Sequence, residues 1–108
     1  MALNLGSTET VSLQTTESDL VPIGVTGDQR RAIITLHNTD TAARTFDIYE
    51  YATGGSASQT TAVHGYQVTL TSKAYFNMDT YLLGDRKITG LADVNDKVIA
   101  KVSVLQIT

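Results

Sequence analysis

The residues with the widest chemical repertoire in this chain are its two histidines, His37 and His64. Imidazole serves as acid, base and metal ligand near neutral pH. Both fall in segments with the two-residue alternation of a strand and take the outward phase. A metal site wants at least three protein ligands, and neither histidine has a carboxylate at ligand-like spacing beside it. The chain has no Cys, which removes thiolate metal sites, disulfides and a thiol nucleophile together. Solvent-facing strand histidines are the expectation.

The other candidates resolve in the same direction. Asp93-Val94-Asn95-Asp96 opens like a calcium loop, but the glycine and closing glutamate of an EF-hand are missing and Lys97 follows at once. A tight turn explains the same residues, since Asn and Asp are turn formers. Gly54-Gly55-Ser56 lacks the lysine and the helix that a phosphate loop requires. No G-x-S-x-G elbow occurs. Glu50 shares the phase of Phe46 and Ile48, so it must lie at a strand end or find a partner. These absences predict a protein that is not an enzyme and carries no cofactor and no metal.

Two kinds of residue remain as binding candidates. Arg30-Arg31 and Arg86-Lys87 each follow a Gly-Asp turn, at Gly27-Asp28 and Gly84-Asp85. If the two corners share one end of the molecule, they form a positive spot that can dock on an acidic protein surface, where Arg is a common anchor. Tyr49 and Tyr51 take the outward phase of one strand and offer a possible ligand face for a sugar or a partner.

These side chains are positioned by a chain of 108 residues, about one domain, with a formal charge of −3. Eight Lys and Arg against eleven acids argue against nucleic acid as a partner. No stretch approaches the ~18–20 apolar residues of a membrane helix, and no membrane partner is expected. The start has the look of a small gene product made in a cytoplasm, without a basic-then-apolar secretory signal. Threonine is abundant, with 17 Thr beside 7 Ser, and there is a single Pro. Thr suits a pleated surface, because its branched Cβ packs there while its hydroxyl meets water.

The periodicity agrees. Ala32, Ile34 and Leu36 alternate against Ile33, Thr35 and His37, and Phe46 and Ile48 against Asp47, Tyr49 and Tyr51. Tyr66, Val68 and Leu70 share a face. So do Phe76, Met78, Thr80 and Leu82, although Ala74 to Leu83 also fits a helical stripe. Val98, Ala100, Val102 and Val104 close the series. Pro22 demotes Leu20 to Val25 to an edge strand or connection. The predicted fold is all-β: a two-layer antiparallel β-sandwich of seven to eight short strands, immunoglobulin-like or jelly-roll in connectivity. Residues 20–108 form the sandwich. Residues 1–19 form an amino-terminal arm, whose Leu3 and Leu5 pair with a sheet edge or a neighbouring subunit.

Within this frame, Ile33-Ile34-Thr35-Leu36-His37-Asn38-Thr39-Asp40 followed by Phe46-Asp47-Ile48-Tyr49 has a familiar cadence. So do Val68-Thr69-Leu70, Leu82-Leu83-Gly84-Asp85, Ile88-Thr89-Gly90-Leu91-Ala92 and the final alternating strand. Over Ala32 to Thr108 the chain resembles small virion structural proteins of tailed bacteriophages, of the capsid decoration (cement) type. The resemblance implies a virion protein on the capsid surface that binds the major capsid protein and bridges neighbouring capsid subunits. It also implies a homo-oligomer, with a trimer favoured. Leu3, Leu5, Arg30, Arg31, Arg86 and Lys87 would then be its contact residues. The alternatives are a neck or tail accessory protein, or a carbohydrate-binding or adhesin module using Tyr49, Tyr51 and the Gly54 to Thr61 loop.

Overall fold

The computed structural model describes residues 4–107. They form eight strands: β1 (Asn4–Ser12), β2 (Ser18–Val21), β3 (Gln29–Asn38), β4 (Arg44–Ala52), β5 (Gly65–Leu70), β6 (Tyr75–Leu83), β7 (Arg86–Ala92) and β8 (Val98–Gln106). The strands lie in two four-stranded sheets, β1-β8-β3-β6 and β2-β7-β4-β5. Every pairing is antiparallel. The chain crosses between sheets at every connection except β4–β5, and the first and last strands pair. This is the double Greek key of a jelly roll. Of the two connectivities compatible with the sequence, the immunoglobulin-like one is thereby excluded, since its order keeps other strands together.

Alternation builds the core. Ala32, Ile34 and Leu36 from β3 face Phe46 and Ile48 from β4, and each is at most 1% exposed. Leu82, Ile88, Val98, Ala100 and Val102 complete the cluster. Burying each large aliphatic side chain contributes ~1.5–3 kcal/mol. β6 is extended, and its alternation of exposed and covered residues rules out the helical stripe. Residues 4–12 pair with β8 of their own chain, so this segment is the edge of the first sheet. Leu13 just beyond it is fully buried. Pro22 immediately follows β2, where its missing N–H interrupts no ladder.

The connections gather at two ends. At one, the 22–28 connection meets the β6–β7 turn: Gly24 N–H donates to Gly84 O at 2.8 Å, and Gly84 N–H donates to Asp28 O at 2.9 Å. A Cβ on Gly84 would sit 1.7 Å from Val25 O, so only glycine permits this approach. At the other end, Asn38 is fully buried and ties the two sheets together. Its Nδ2 donates to Ala42 O, Leu70 O and Thr71 O at 2.9, 2.9 and 3.2 Å, and its Oδ1 accepts Asp40 N–H at 2.9 Å.

Candidate functional site

The two basic corners meet. Arg30 donates from Nη2 to Arg86 O at 2.9 Å and from Nη1 to Pro22 O at 2.8 Å. The two corners thus share one end, but the four cations are engaged within the chain. Arg30 is only 8% exposed, and burial pulls its guanidinium below the ordinary arginine range. It acts as a clasp between the 22–28 connection and the β6–β7 turn. The signal was present: position 30 has the phase of Ala32, Ile34 and Leu36, while position 31 has the opposite one.

Arg31 is on the outer face and grips Asp79 of β6, with Nε to Oδ1 at 2.9 Å. The pair holds the Asp79 carboxyl below the usual range and lifts the Arg31 guanidinium. Arg86 donates from Nε to Glu50 Oε2 at 2.6 Å, and His64 Nε2 lies 2.7 Å from Glu50 Oε1. Glu50 thus finds its partner, from a histidine that precedes β5 and an arginine on the neighbouring strand. No local spacing announces this three-residue cluster, because β7 and the β4–β5 connection supply two of its members. Lys87 pairs with Asp19 at 2.8 Å and lies 5.6 Å above the Tyr51 ring.

Tyr49 and Tyr51 do point outward from their sheet, yet they are only 6% and 9% exposed. The Tyr49 hydroxyl donates to Asp47 Oδ2 at 2.6 Å, and burial together with this bond raises its pKa. The Tyr51 hydroxyl donates to Glu17, which also accepts from Thr89. With Lys87 above and Glu17 beside it, this face is a closed polar network and offers no flat ring to a ligand. Leu3 lies outside the described residues, and Leu5 pairs with Leu105 in the β1–β8 ladder. His37 is on the outer face of the first sheet, stacked on Tyr75 with ring centroids 4.2 Å apart. The Asp93–Asp96 turn holds protein groups: Asn95 Oδ1 accepts Thr15 N–H at 2.8 Å and Asp96 Oδ1 accepts Gln14 Nε2 at 2.7 Å. Among the described residues, no group of three His, Asp or Glu could hold a metal ion.

What the fold leaves open is a sheet edge. Each sheet has two outer strands, and three of the four are blunted. β2 has four residues and a register shift between Asp19 and Val21. β5 is broken by Gln67 at φ 48° and by a shift opposite Phe46 and Ile48. β1 shifts register between Leu5 and Ser7. Such bulges and short lengths protect edges from other chains. β6 has none of these devices. It runs nine residues in unbroken register with β3 and, among the described residues, no strand pairs with its other side. Its one charge, Asp79, is neutralised by Arg31. Tyr75, Tyr81 and Leu83 on its outer face are 63%, 70% and 56% exposed. Val25, 66% exposed, is brought beside the end of β6 by the Gly84 contact.

No family profile and no curated protein matches the sequence. Among solved structures, the chain is similar to a protein of the Bacillus endospore appendages, described as a novel family of disulfide-linked pili. The TM-score is 0.60 at 11% identity, covering 99% of this chain and 87% of that one. It also matches the Tobacco streak virus coat protein dimer at a TM-score of 0.47 and 13% identity, over 92% of this chain and 84% of that one. At such identities the first likeness speaks for the fold, which is all-β with two antiparallel four-stranded sheets.

Proposed function

We propose that this chain is a non-enzymatic structural subunit that works in repeated copies, joined by strand addition at the free edge of β6. The observation that carries this reading is the contrast between the edges: three are blunted and one, nine residues long, is open. An added strand satisfies a row of backbone N–H and C=O groups at once and needs no special side chain. The exposed Tyr81, Leu83 and Val25 at the same end supply apolar area to the contact. The jelly roll shared with a pilus protein is consistent with a building-block role. That family is described as disulfide-linked, whereas this chain has no cysteine, so disulfides do not join its copies.

The specific form we propose is capsid decoration: binding to the major capsid protein on the outside of a phage particle and bridging neighbouring subunits. Its support is the sequence resemblance over Ala32 to Thr108. Repetition on a symmetric shell turns a modest contact into avidity. The test is copy number in purified particles by quantitative mass spectrometry. A stoichiometry near that of the capsid subunit is expected. A handful of copies would move the protein to the neck or tail, and complete absence would remove the virion assignment.

A further inference from the structure

The outer face of the first sheet carries a groove of about 320 Å³, the lower end of the range for small-ligand sites. Strand register arranges its lining in two rows. Thr10, Lys101 and Thr35 stand opposite one another on β1, β8 and β3, with Asn77 of β6 flanking the groove beside Thr35. One step along, Ile99, His37 and Tyr75 form the second row. Four strands at ~4.8 Å spacing and a step of two residues give a footprint of roughly 14 by 7 Å.

We propose that this groove binds an acidic saccharide, with a sugar ring against the His37–Tyr75 slab and the sugar carboxylate on Lys101. The two rings lie 8° from parallel, and Tyr75 remains 63% exposed. Stacking at 4.2 Å covers the facing sides of the two rings, so the slab offers a sugar an outer ring face and the ring edges, which suit a ligand apolar on one face and hydroxylated at its rim. Hydroxyl partners are in place. Thr35 Oγ1 donates to Asn77 Oδ1 at 2.8 Å and Thr39 Oγ1 donates to Lys97 O at 2.8 Å, so both oxygens keep lone pairs to accept from the sugar.

The charge requirement comes from Lys101. It is exposed and, among the described residues, is in no ion pair, whereas Arg31, Arg44, Arg86 and Lys87 each have an acid. Lys73 adds a second ammonium at the Thr39 end, with Nζ 2.6 Å from Thr39 O. Among the described residues, no carboxylate lines the groove. A neutral sugar would leave these cations unused. The sugar site foreseen at Tyr49 and Tyr51 is closed; this one lies on the opposite sheet. It uses a sheet face and not the β6 backbone edge, so it stands independently of the assembly proposal.

The experiment is an NMR titration of the isotope-labelled protein with a glucuronate-containing trisaccharide and with its glucose-only counterpart. Shifts confined to the neighbours of His37, Tyr75 and Lys101 are expected, with the acidic sugar binding about tenfold tighter than the neutral one. Tyr75→Ala should abolish both responses, and Lys101→Met should bring the acidic sugar down to the neutral level. Both sites face solvent, and the dispersion of the amide spectrum checks that each variant is folded. No response to ~10 mM acidic sugar, weaker than any millimolar constant, would overturn the proposal. So would equal binding of the two sugars, or an acetate response of the same size that ignores Tyr75→Ala.

Discussion

A hydroxyl on the outside of a sheet ordinarily meets water, and Tyr49 departs from that. Its ring is buried, and its pKa is raised by burial and by the bond to Asp47. The neutral phenol is therefore the form the fold requires. The unfolded chain begins to lose that proton near pH ~10, while the folded chain holds it higher. The contribution of Tyr49 to stability is complete below that pH and falls as pH rises toward the folded value. Thermal melts between pH 8 and 11 should show a midpoint that is level and then declines, and Tyr49→Phe should make the decline shallower. At neutral pH the same variant should cost ~1 kcal/mol for the lost hydrogen bond. A decline unchanged by Tyr49→Phe would assign the alkaline limb to other groups. From the sequence, outward phase was legible at Tyr49 and Tyr51, and burial was not. Phase reports which side of a sheet a residue takes, and the cover of Tyr51 comes from Glu17 in the β1–β2 connection and Lys87 on β7.

Elements were legible where one face is buried and the other wet. β3, β4, β6 and β8 alternate cleanly, and the expected core positions on β3 are all buried. Residues 4–12 were harder, since their alternation is interrupted by the polar Gly6 to Thr10 and their partner is the far end of the chain. The sheet order follows from non-local pairing, which no local pattern encodes. Asn38 is where the two sheets are latched. Its turn character was evident from the run Asn38-Thr39-Asp40-Thr41, but its bond to Leu70 O depends on where β5 ends. Asn38→Leu leaves Leu70 O of the second sheet and the carbonyls of Ala42 and Thr71 in the adjoining connections without this donor, at ~1–3 kcal/mol for each one that finds no substitute. Urea unfolding should therefore show a loss of ~2–5 kcal/mol with an unchanged m-value. A loss below ~1 kcal/mol would mean that water replaces the amide without cost.

At the scale of the whole molecule, the proposed assembly turns on edges. A two-sheet sandwich always has four outer strands, and here the sequence disarms three of them by length, by register shifts and by a positive φ. That Ala74 to Leu83 is extended with Asp79 as its one charge was legible in the sequence; that Arg31 pairs this charge and that the strand lies at an edge were not, because both follow from the β3 pairing. An open edge of this kind either joins copies in order or aggregates. The most direct test is sedimentation of the purified chain across a concentration series, beside Thr80→Lys. Thr80 lies on the inner, half-covered side of β6, and an inward charge on an edge strand blocks strand addition while leaving the β3 ladder in place. Strand addition at β6 predicts concentration-dependent oligomers for the parent chain and a folded monomer for Thr80→Lys. A parent chain that stays monomeric at every concentration, or oligomers indifferent to Thr80→Lys, would contradict it.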